Sequence, residues 1–233
     1  MKLLAVDTST RACSVAVVDG DRLASEITTG PTGTHSTHIF RLIRTALSLA
    51  EMELQGLDGL AVCVGPGSFT GLRIGVSTVK GLAFAAGKPV AGVSSLEALA
   101  LACRPWPHLV CAMLDARKAE VYAARYRACD GRLEREGREA VLSVEDALDG
   151  IHEACLFVGD GARRYREPIG LKLGPLALFP DASQDIIRAS SVAALAQLQF
   201  ARKEIEDLDR LAPRYVRRSD VELRLGVPAE KCA

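Results

Sequence analysis

The fold is decided by residues 65–75, which read GPGSFTGLRIG. They follow an apolar strand candidate at residues 60–64 and lead into a long segment of small residues, so the pattern predicts a strand, a glycine-rich turn and a helix. Pro66 fixes its own φ, and Gly65 and Gly67 permit dihedral angles that a Cβ atom would forbid. Ser68 or Thr70 is placed to cap the first N–H groups of the helix.

This turn is also a candidate binding site, because backbone donors at a helix N-terminus attract an anion, a carboxylate or a loop of a partner protein. The known phosphate loops do not match it. The Walker pattern requires Lys and Ser/Thr after its last glycine, where this chain has Leu72 and Arg73. The dinucleotide fingerprint requires its third glycine three residues after the second, whereas Gly71 lies four after Gly67. A packing role and a binding role of the glycines both stay open.

The composition is that of a soluble globular protein. The chain has 233 residues, of which 48% are apolar and 25% charged, and its formal net charge is zero. This balance excludes a chain-wide field that would attract nucleic acid or anionic lipid. The seven cysteines contain no Cys-x-x-Cys pair, which predicts a reducing compartment without metal sites or disulfides. Because the chain shows no secretory h-region and no apolar run of membrane length, we expect a cytoplasmic protein that contacts no membrane.

The two halves of the chain have the same pattern of predicted elements. The first half predicts strands at 3–6, 13–18 and 23–28, a helix at 36–50, the glycine turn and its helix to Gly87, a strand at 89–93 and a helix at 95–103. The second half predicts strands at 109–114, 121–128 and from 132, a helix at 144–148, a strand at 155–158, a turn at 159–161, a strand at 176–179 and a helix at 191–204.

Two turns support a duplication, since Asp115 matches Asp7 and Asp130-Gly131 matches Asp19-Gly20, at offsets of 108 and 111 residues. A duplicated unit predicts an α/β protein with two lobes and a cleft between them, and chance similarity of apolar patterns is the alternative. We expect an N-terminal lobe at 1–104 with partner-binding helices, a linker at 104–107, and a smaller C-terminal lobe at 105–218 whose last segment packs back on the first lobe. Residues 219–233 are expected to form a loosely held tail.

Four segments together resemble the TsaB (YeaZ) family: residues 7–9, which read DTS; residues 65–75; residues 115–122, which read DARKAEVY; and residues 213–217, which read PRYVR. The resemblance covers roughly residues 1–218. It implies the two-lobed actin-like fold of the ATPase superfamily (ASKHA, RNase H-like), built from a duplicated β-β-β-α-β-α unit.

The resemblance also implies a function. It is that of a noncatalytic scaffold subunit required for threonylcarbamoyl transfer to the adenosine adjacent to the anticodon in tRNAs. Its implied partners are TsaD, the paralogous catalytic subunit, and the ATPase TsaE. The resemblance further implies contact with tRNA through the complex, and a homodimer when the chain is alone. No catalytic residue and no required cofactor are expected. Members of the family were once called glycoproteases, a name that does not imply an activity.

Two enzymatic alternatives stay open beside the scaffold. An ATP-dependent small-molecule kinase of the actin-like superfamily is one, although such kinases generally carry further glycine-rich motifs in the second lobe. A metalloprotease is the other, and it would need a metal. His35 and His38 lie three residues apart at a helix start, but no third ligand is evident nearby, so we expect no metal site.

ATP or ADP is the nucleotide that the fold makes possible, and we expect at most weak binding. In the superfamily, acidic residues at the first strand of each lobe position metal and phosphates, and Asp7 and Asp115 occupy those places. An aspartate after a strand is also a common turn cap, which is the simpler interpretation. The candidate nucleotide or anion-binding residues are Asp7, Thr8, Ser9, Gly65, Gly67, Ser68, Asp115, Gly159 and Gly161.

A partner surface is expected on two helices of the first lobe. Phe40 and Leu49 fall off the apolar stripe of the first helix, and small residues recur at a spacing of four on the second, where they permit close approach of another helix. Packing of both helices on their own sheet is the alternative. The candidate interface residues are Ile39, Phe40, Ile43, Leu47, Gly71, Gly75, Ser77, Gly81 and Ala85. Basic clusters at 163–166 and 214–218 leave direct tRNA contact open, although solvated faces are commoner.

Overall fold

The computed structural model describes residues 1–30, 35–103, 109–129 and 132–217, which form two five-stranded mixed sheets with helices. The first half contains β1 (Lys2–Asp7), β2 (Cys13–Asp19), β3 (Arg22–Thr29), α1 (His35–Leu49), β4 (Gly59–Gly65), α2 (Phe69–Ala86), β5 (Val90–Ser94) and α3 (Ser95–Leu101). The second half contains β6 (Leu109–Arg117), β7 (Glu120–Cys129), β8 (Arg132–Ser143), α4 (Val144–Ala147), β9 (Cys155–Val158), α5 (Asp160–Arg164), α6 (Arg166–Leu173), β10 (Ala177–Leu178) and α7 (Ala189–Ala201).

The strand order confirms the predicted duplication. The sheets run β3-β2-β1-β4-β5 and β8-β7-β6-β9-β10, so each position in one has its counterpart in the other. In both, the first three strands form an antiparallel meander and the last two pair in parallel. Each half is longer than the predicted β-β-β-α-β-α unit by a final strand and helix. The predicted linker at 104–107 and the Asp130-Gly131 turn lie outside the described residues.

Helices cover both faces of the first sheet, which explains why its central strands are continuous apolar runs. Every residue of β4 is buried. On one face α1 and α2 pack on the sheet. Ile39 and Leu42 of α1 lie in the core, as the apolar stripe of that helix predicted, and Val79 of α2 lies beside them. On the other face lies α7, which comes from the second half of the chain.

The two lobes share this inner core because they exchange helices. α3, from the first half, packs against β6 and β7 of the second sheet, while α7 packs against β1, β2 and β5 of the first. Leu99 of α3 and Val192 of α7 are fully buried in one cluster with residues of both sheets. Burying one such side chain stabilises the fold by roughly 1.5–3 kcal/mol, so neither lobe retains its core without the other half of the chain.

Local departures from the sequence predictions occur in the second half. The turn expected at 159–161 is the start of α5, with Gly159 at a φ of 107° before its first residue. α6 was not predicted, because its mixed polar and apolar residues show no helical periodicity. The strand expected at 176–179 shortens to the two residues of β10.

Residues 206–217 form a segment that we call the C-terminal strap. Its Leu211 is buried, and the Lys80 ammonium group donates a hydrogen bond of 3.0 Å to the Leu211 carbonyl oxygen. The Arg214 N–H group donates to the Val64 carbonyl oxygen at 2.7 Å. The strap is therefore fixed to the first lobe along its length.

The strap ends on the second lobe. The guanidinium group of Arg217 donates to the Ala116 carbonyl oxygen at 2.7 Å and pairs with Glu120 at 3.2 Å. Tyr215 stacks on Phe69 of the first lobe with ring centroids 4.7 Å apart. The strap therefore bridges the lobes at the cleft.

A second bridge between the lobes contains two neighbouring carboxyl groups. Glu139 of β8 accepts hydrogen bonds from Ser94 and, at 3.2 Å, from the Tyr126 hydroxyl group. Glu97, in the first turn of α3, lies beside it. Burial raises the pKa of Glu97 above its usual range, and the charge of Glu139 raises it further.

Glu97→Gln should stabilise the protein at pH 8. Since the pKa of Glu97 is raised in the folded state, its contribution is favourable below the unfolded pKa and is lost as pH rises through the folded pKa. Gln stays neutral and preserves the capping arrangement with Ser94, so the melting temperature should rise at pH 8 and the gain should shrink towards pH 4. Thermal melts across this range measure it, with the exposed Glu53→Gln as control. A gain that grows on acidification would contradict the assignment.

Candidate functional site

A cleft of about 540 Å³ lies between the lobes, where the carboxyl ends of β1 and β6 meet the strap. Its wall includes Ser9, Gly67 and Ser68 from the first lobe and Asp115 from the second. These four predicted residues are therefore brought together. Asp7 and Thr8 lie buried beneath the first-lobe wall.

The Asp7 carboxylate acts locally as a turn cap. Its Oδ1 atom accepts hydrogen bonds from the Ser9 N–H group at 3.1 Å and from the Ser9 hydroxyl group at 2.6 Å. Behind it lies Cys63, whose thiol pKa is raised by burial and, secondarily, by the charge of Asp7. A thiol held in this protonated state is inert as a nucleophile.

The glycines after the turn allow α2 to approach residues 7–9 closely. A Cβ atom on Gly67 would lie 2.3 Å from the Ser9 carbonyl oxygen, one on Gly71 2.0 Å from the Thr8 carbonyl oxygen, and one on Gly75 2.2 Å from Thr8 Oγ1. The Thr8 hydroxyl group uses this approach to donate a 2.8 Å hydrogen bond to the Gly71 carbonyl oxygen. These contacts favour the packing role of the glycines over the binding role.

The chain itself supplies acceptors for two N–H groups of the turn and fills the space beside Gly65. The Ser68 N–H group donates to the Ser9 carbonyl oxygen at 2.7 Å, and Ser68 Oγ caps α2 by accepting from the Gly71 N–H group at 3.3 Å. The Arg214 carbonyl oxygen of the strap lies 2.6 Å from the position of a Cβ atom on Gly65. A phosphate at the Ser68 and Gly71 N–H groups would have to displace their present acceptors.

The second-lobe carboxylates have their own intramolecular partners. Asp115 accepts from the Arg117 N–H group and pairs with Arg164, both at 2.9 Å. The Asp115 N–H group donates to Asp160 Oδ1 at 3.0 Å. Loss of solvation in the cleft wall raises the pKa of Asp160, although its side chain still reaches solvent, and the bond from the Asp115 N–H group opposes the rise.

Gly159 and Gly161 also serve packing. A Cβ atom on Gly159 would lie 2.3 Å from the Met113 carbonyl oxygen, and one on Gly161 would lie 2.8 Å from the Leu114 carbonyl carbon. The Gly159 N–H group donates to Asp185 at 2.9 Å. The glycines thus bring α5 against β6, as those of α2 bring that helix against β1.

A second surface feature is the α1–α2 face, which consists of the outward sides of α1 and α2. Phe40 is 55% exposed and Phe84 is 81% exposed. Between the helices lies a groove of about 350 Å³ whose walls include Phe40, Ile74 and Arg73. Sequence reasoning missed Phe84 and Arg73, although both follow the helical spacing of the small residues it had identified.

The predicted partner surface is corrected at four positions. Ile39 and Ile43 lie in the core, and Gly71 and Gly75 are buried, the latter two against Thr8. Ile43, Gly71 and Gly75 face the sheet and offer no surface to a partner, whereas Ile39, although buried, also lines the groove between the helices. The predicted residues on the outer side are Phe40, Ser77, Gly81 and Ala85, with Leu47 half-buried.

Metal ligands and membrane spans are absent from the part of the chain that the structure describes. There, no group of three or more His, Cys, Asp or Glu residues could hold a metal ion, and His38 contacts Arg41 at 3.2 Å. Within the same residues no helix has the length and apolarity needed to cross a membrane.

Relatives with established names match nearly the whole chain. The tRNA threonylcarbamoyladenosine biosynthesis protein TsaB of Bacillus subtilis is 32% identical over 227 residues, which cover 96% of this chain and 97% of that protein. The chain belongs to the TsaB family. A family model described as TsaD, tRNA N6-adenosine threonylcarbamoyltransferase, matches residues 31–225, which accords with a TsaB-family chain that resembles TsaD.

Solved structures confirm the fold. YeaZ from Pseudomonas aeruginosa is similar with a TM-score of 0.80 and 35% identity, covering 92% of this TsaB-family chain and 99% of that one. The activator of 2-hydroxyisocaproyl-CoA dehydratase from Clostridium difficile is similar with a TM-score of 0.50 at 10% identity, covering 89% and 99%. At that identity the likeness shows only the shared actin-like fold.

Gly71→Ala should destabilise this TsaB-family chain, because the new methyl group meets the Thr8 backbone. We expect a loss of about 1–3 kcal/mol in the free energy of unfolding. Gly81 lies in the same helix with nothing within 4 Å of its Cβ position, so Gly81→Ala is the matched control and should stabilise by up to about 1 kcal/mol. Urea denaturation measures both changes. Equal effects would show that close packing does not require Gly71.

Proposed function

We propose that this chain is a noncatalytic scaffold subunit for threonylcarbamoyl transfer to the adenosine adjacent to the anticodon of tRNAs, acting in the cytoplasm with TsaD and TsaE. Membership of the TsaB family supports the pathway, since the Bacillus subtilis relative is named for threonylcarbamoyladenosine biosynthesis. The observation that carries the scaffold role is a contrast: the carboxylates at the cleft are bound by the chain's own groups, whereas the α1–α2 face is apolar and exposed.

The intramolecular partners of the cleft carboxylates support the absence of catalysis. Phosphoryl transfer on an actin-like fold needs carboxylates available to a metal and donors available to phosphate. Here Asp7 binds Ser9, Asp115 pairs with Arg164, and the Ser68 N–H group of the glycine turn donates to Ser9. The residues therefore do not fit a bound metal–nucleotide complex, and we derive no chemical step through one.

No cofactor is required under this proposal, and any ATP or ADP is bound weakly. Magnesium ATP at about 1 mM should leave the melting temperature of the isolated chain nearly unchanged, because for weak binding this concentration does not far exceed the Kd. A ligand at one hundred times its Kd would instead stabilise the fold by about 2.7 kcal/mol. Differential scanning fluorimetry with and without nucleotide measures this. A rise of several degrees would contradict weak binding.

TsaD is the proposed partner, and the α1–α2 face is the proposed surface for it. When TsaD is absent, a homodimer would use the same face.

Contact with tRNA would come through the complex. Within the basic clusters, Arg163 pairs with Asp185, Arg214 with Glu206 and Arg217 with Glu120, so these charges are partly neutralised before any phosphate arrives.

The second candidate is an ATP-dependent small-molecule kinase, which the fold alone favours: the structurally similar dehydratase activator was solved with bound ADPNP. Such an enzyme would act without a partner. The metalloprotease alternative has no supporting metal cluster among the residues described.

Reconstitution separates the scaffold from both enzymes. The chain is purified and assayed alone, and then with TsaD, TsaE, tRNA, threonylcarbamoyl adenylate and ATP, and modified adenosine is measured. The scaffold requires product only in the mixture, with loss of product when this chain is omitted. Turnover of ATP with a sugar or another small molecule, or peptide cleavage, by the chain alone would overturn the proposal.

Ala85→Glu should weaken association with TsaD at least about tenfold, because a bulky charge would be buried where α2 offers a small exposed residue. Leu171→Glu is the control, since Leu171 is 82% exposed on α6, away from the α1–α2 face. Gel-filtration co-elution and calorimetry report binding, and circular dichroism confirms folding. Unchanged co-elution of the Ala85 variant would refute this surface.

A further inference from the structure

The C-terminal strap is anchored more firmly at its start than at its end. Leu211 is buried, and its carbonyl oxygen accepts the 3.0 Å hydrogen bond from α2. We call residues 212–217, which follow it, the outer strap. None of these six residues is buried, and Tyr215, which stacks on Phe69, and Val216 are 38% and 36% exposed. Segments with few buried apolar contacts open locally while the rest of a fold stays intact, so the outer strap is able to leave the cleft wall.

Arg217 holds the outer strap to the second lobe. Its guanidinium group donates to the Ala116 carbonyl oxygen at 2.7 Å and pairs with Glu120 at 3.2 Å, and its side chain is only 19% exposed there. Ala116 belongs to β6 and Glu120 to β7. Between them lie residues 117–119, which we call the β6–β7 turn. One side chain of the strap therefore clamps both ends of this turn.

The β6–β7 turn is built from residues that disfavour its conformation. Arg117, Lys118 and Ala119 have φ angles of 62°, 53° and 61°, in the left-handed region. Because Arg117 pairs with Glu120 in the register of the hairpin, Lys118 and Ala119 are its two central residues. Hairpins of this kind favour Asn-Gly or Gly-Gly there, since a Cβ atom crowds the backbone at positive φ. The three residues are exposed, so burial of their side chains does not offset the strain.

We propose that Arg217 and the β6–β7 turn form a latch that holds the outer strap over the cleft, and that strain in the turn poises this latch to open. Strained backbone persists only where surrounding contacts hold it, and it is a recurrent feature of ligand clamps and switches. When Arg217 leaves Ala116 and Glu120, the outer strap moves away and the turn relaxes. Residues of the outer strap line the cleft, as do Arg117 and Lys118, so opening enlarges the cleft.

This opening leaves the two lobes in place. The shared core, in which α3 packs on the second sheet and α7 on the first, holds the lobes together independently of the strap. Only the outer strap and the end of one hairpin move, which is a hinge motion of a short segment rather than a closure of domains. The inference goes beyond the proposed function, because the latch belongs to the chain alone and its test needs no partner.

Amide hydrogen exchange of the isolated chain, followed by NMR, reports the latch at two sites. The Arg214 N–H group, bonded to the end of β4 at 2.7 Å, reports the outer strap. The Arg117 N–H group, bonded to Asp115 at 2.9 Å, reports the turn. The Leu211 N–H group, bonded to Asp207 at 3.0 Å, precedes the outer strap and is the internal reference. Since such amides exchange only after opening, a change in rate measures a change in the open population.

Loss of the clamp should speed exchange at both sites. We expect Arg217→Met, which removes the hydrogen bond and the ion pair, to raise the exchange rates of the Arg214 and Arg117 amides at least about fivefold. Glu120→Gln removes only the ion pair and should raise them about threefold. Arg210→Met is the matched control, because Arg210 is exposed in the strap and forms no ion pair with any other described residue; it should change both rates less than about twofold.

Substitution of Ala119 tests the strain with opposite signs at one position. Ala119→Gly relieves the turn and should slow exchange of the Arg214 amide about twofold to threefold, because glycine adopts a positive φ without a steric penalty. Ala119→Val, whose branched side chain is less compatible with this φ, should speed it by a similar factor. Since Arg217 is the link between turn and strap, neither substitution should alter the Arg214 amide when Arg217→Met is also present.

Three results would overturn the latch. The first is an Arg217→Met chain whose Arg214 and Arg117 amides exchange as they do in the unchanged chain. The second is an effect of Ala119→Gly on the Arg214 amide that persists without Arg217, or that speeds its exchange. The third is an equal rise at the Leu211 amide, which would show loss of the whole strap rather than local opening. Circular dichroism melts confirm that each variant is folded.

Discussion

The Thr8 hydroxyl group donates its hydrogen to the Gly71 carbonyl oxygen in the buried layer between β1 and α2, and both surfaces of interest depend on this contact. It exists only because three glycines remove the Cβ atoms that would hold the helix away from residues 7–9. With α2 set so close, its inner side is consumed by packing. Its outer side, with Phe84 and Arg73, becomes the surface of the lobe.

The contact between Thr8 and α2 also marks the limit of what the sequence could predict. Apolar periodicity predicted the strands, the stripe of α1 and the duplication, because these depend on neighbours in the chain. It assigned Gly71 and Gly75 to a partner surface because a small residue looks alike whether it faces its own sheet or another protein. Only the position of Thr8, far away in sequence, distinguishes the two. Likewise Asp115 was recognised as a strand-end carboxylate, but its ion pair with Arg164 depends on the tertiary fold.

The two carboxylates at the strand ends of the cleft are each held within their own lobe. Asp7 and Asp115 occupy equivalent places in the two repeats, which is the symmetry that a two-lobed nucleotide site uses. Each is now bound by groups of its own lobe, Ser9 in one case and Arg164 in the other. Hydrogen bonds and ion pairs within each lobe stabilise these carboxylates without a ligand, since a buried or half-buried carboxylate must find donors somewhere.

The exchange of helices between lobes has a consequence for synthesis on the ribosome. The inner face of the first sheet is covered by α7, and the carboxyl end of β4 by the strap, yet both are translated only after residue 188. Most of the chain must therefore emerge while an apolar sheet face is still bare, and nascent chains in that state are prone to aggregate. The lobe that is translated first therefore completes its core only when the last fifth of the chain has been made.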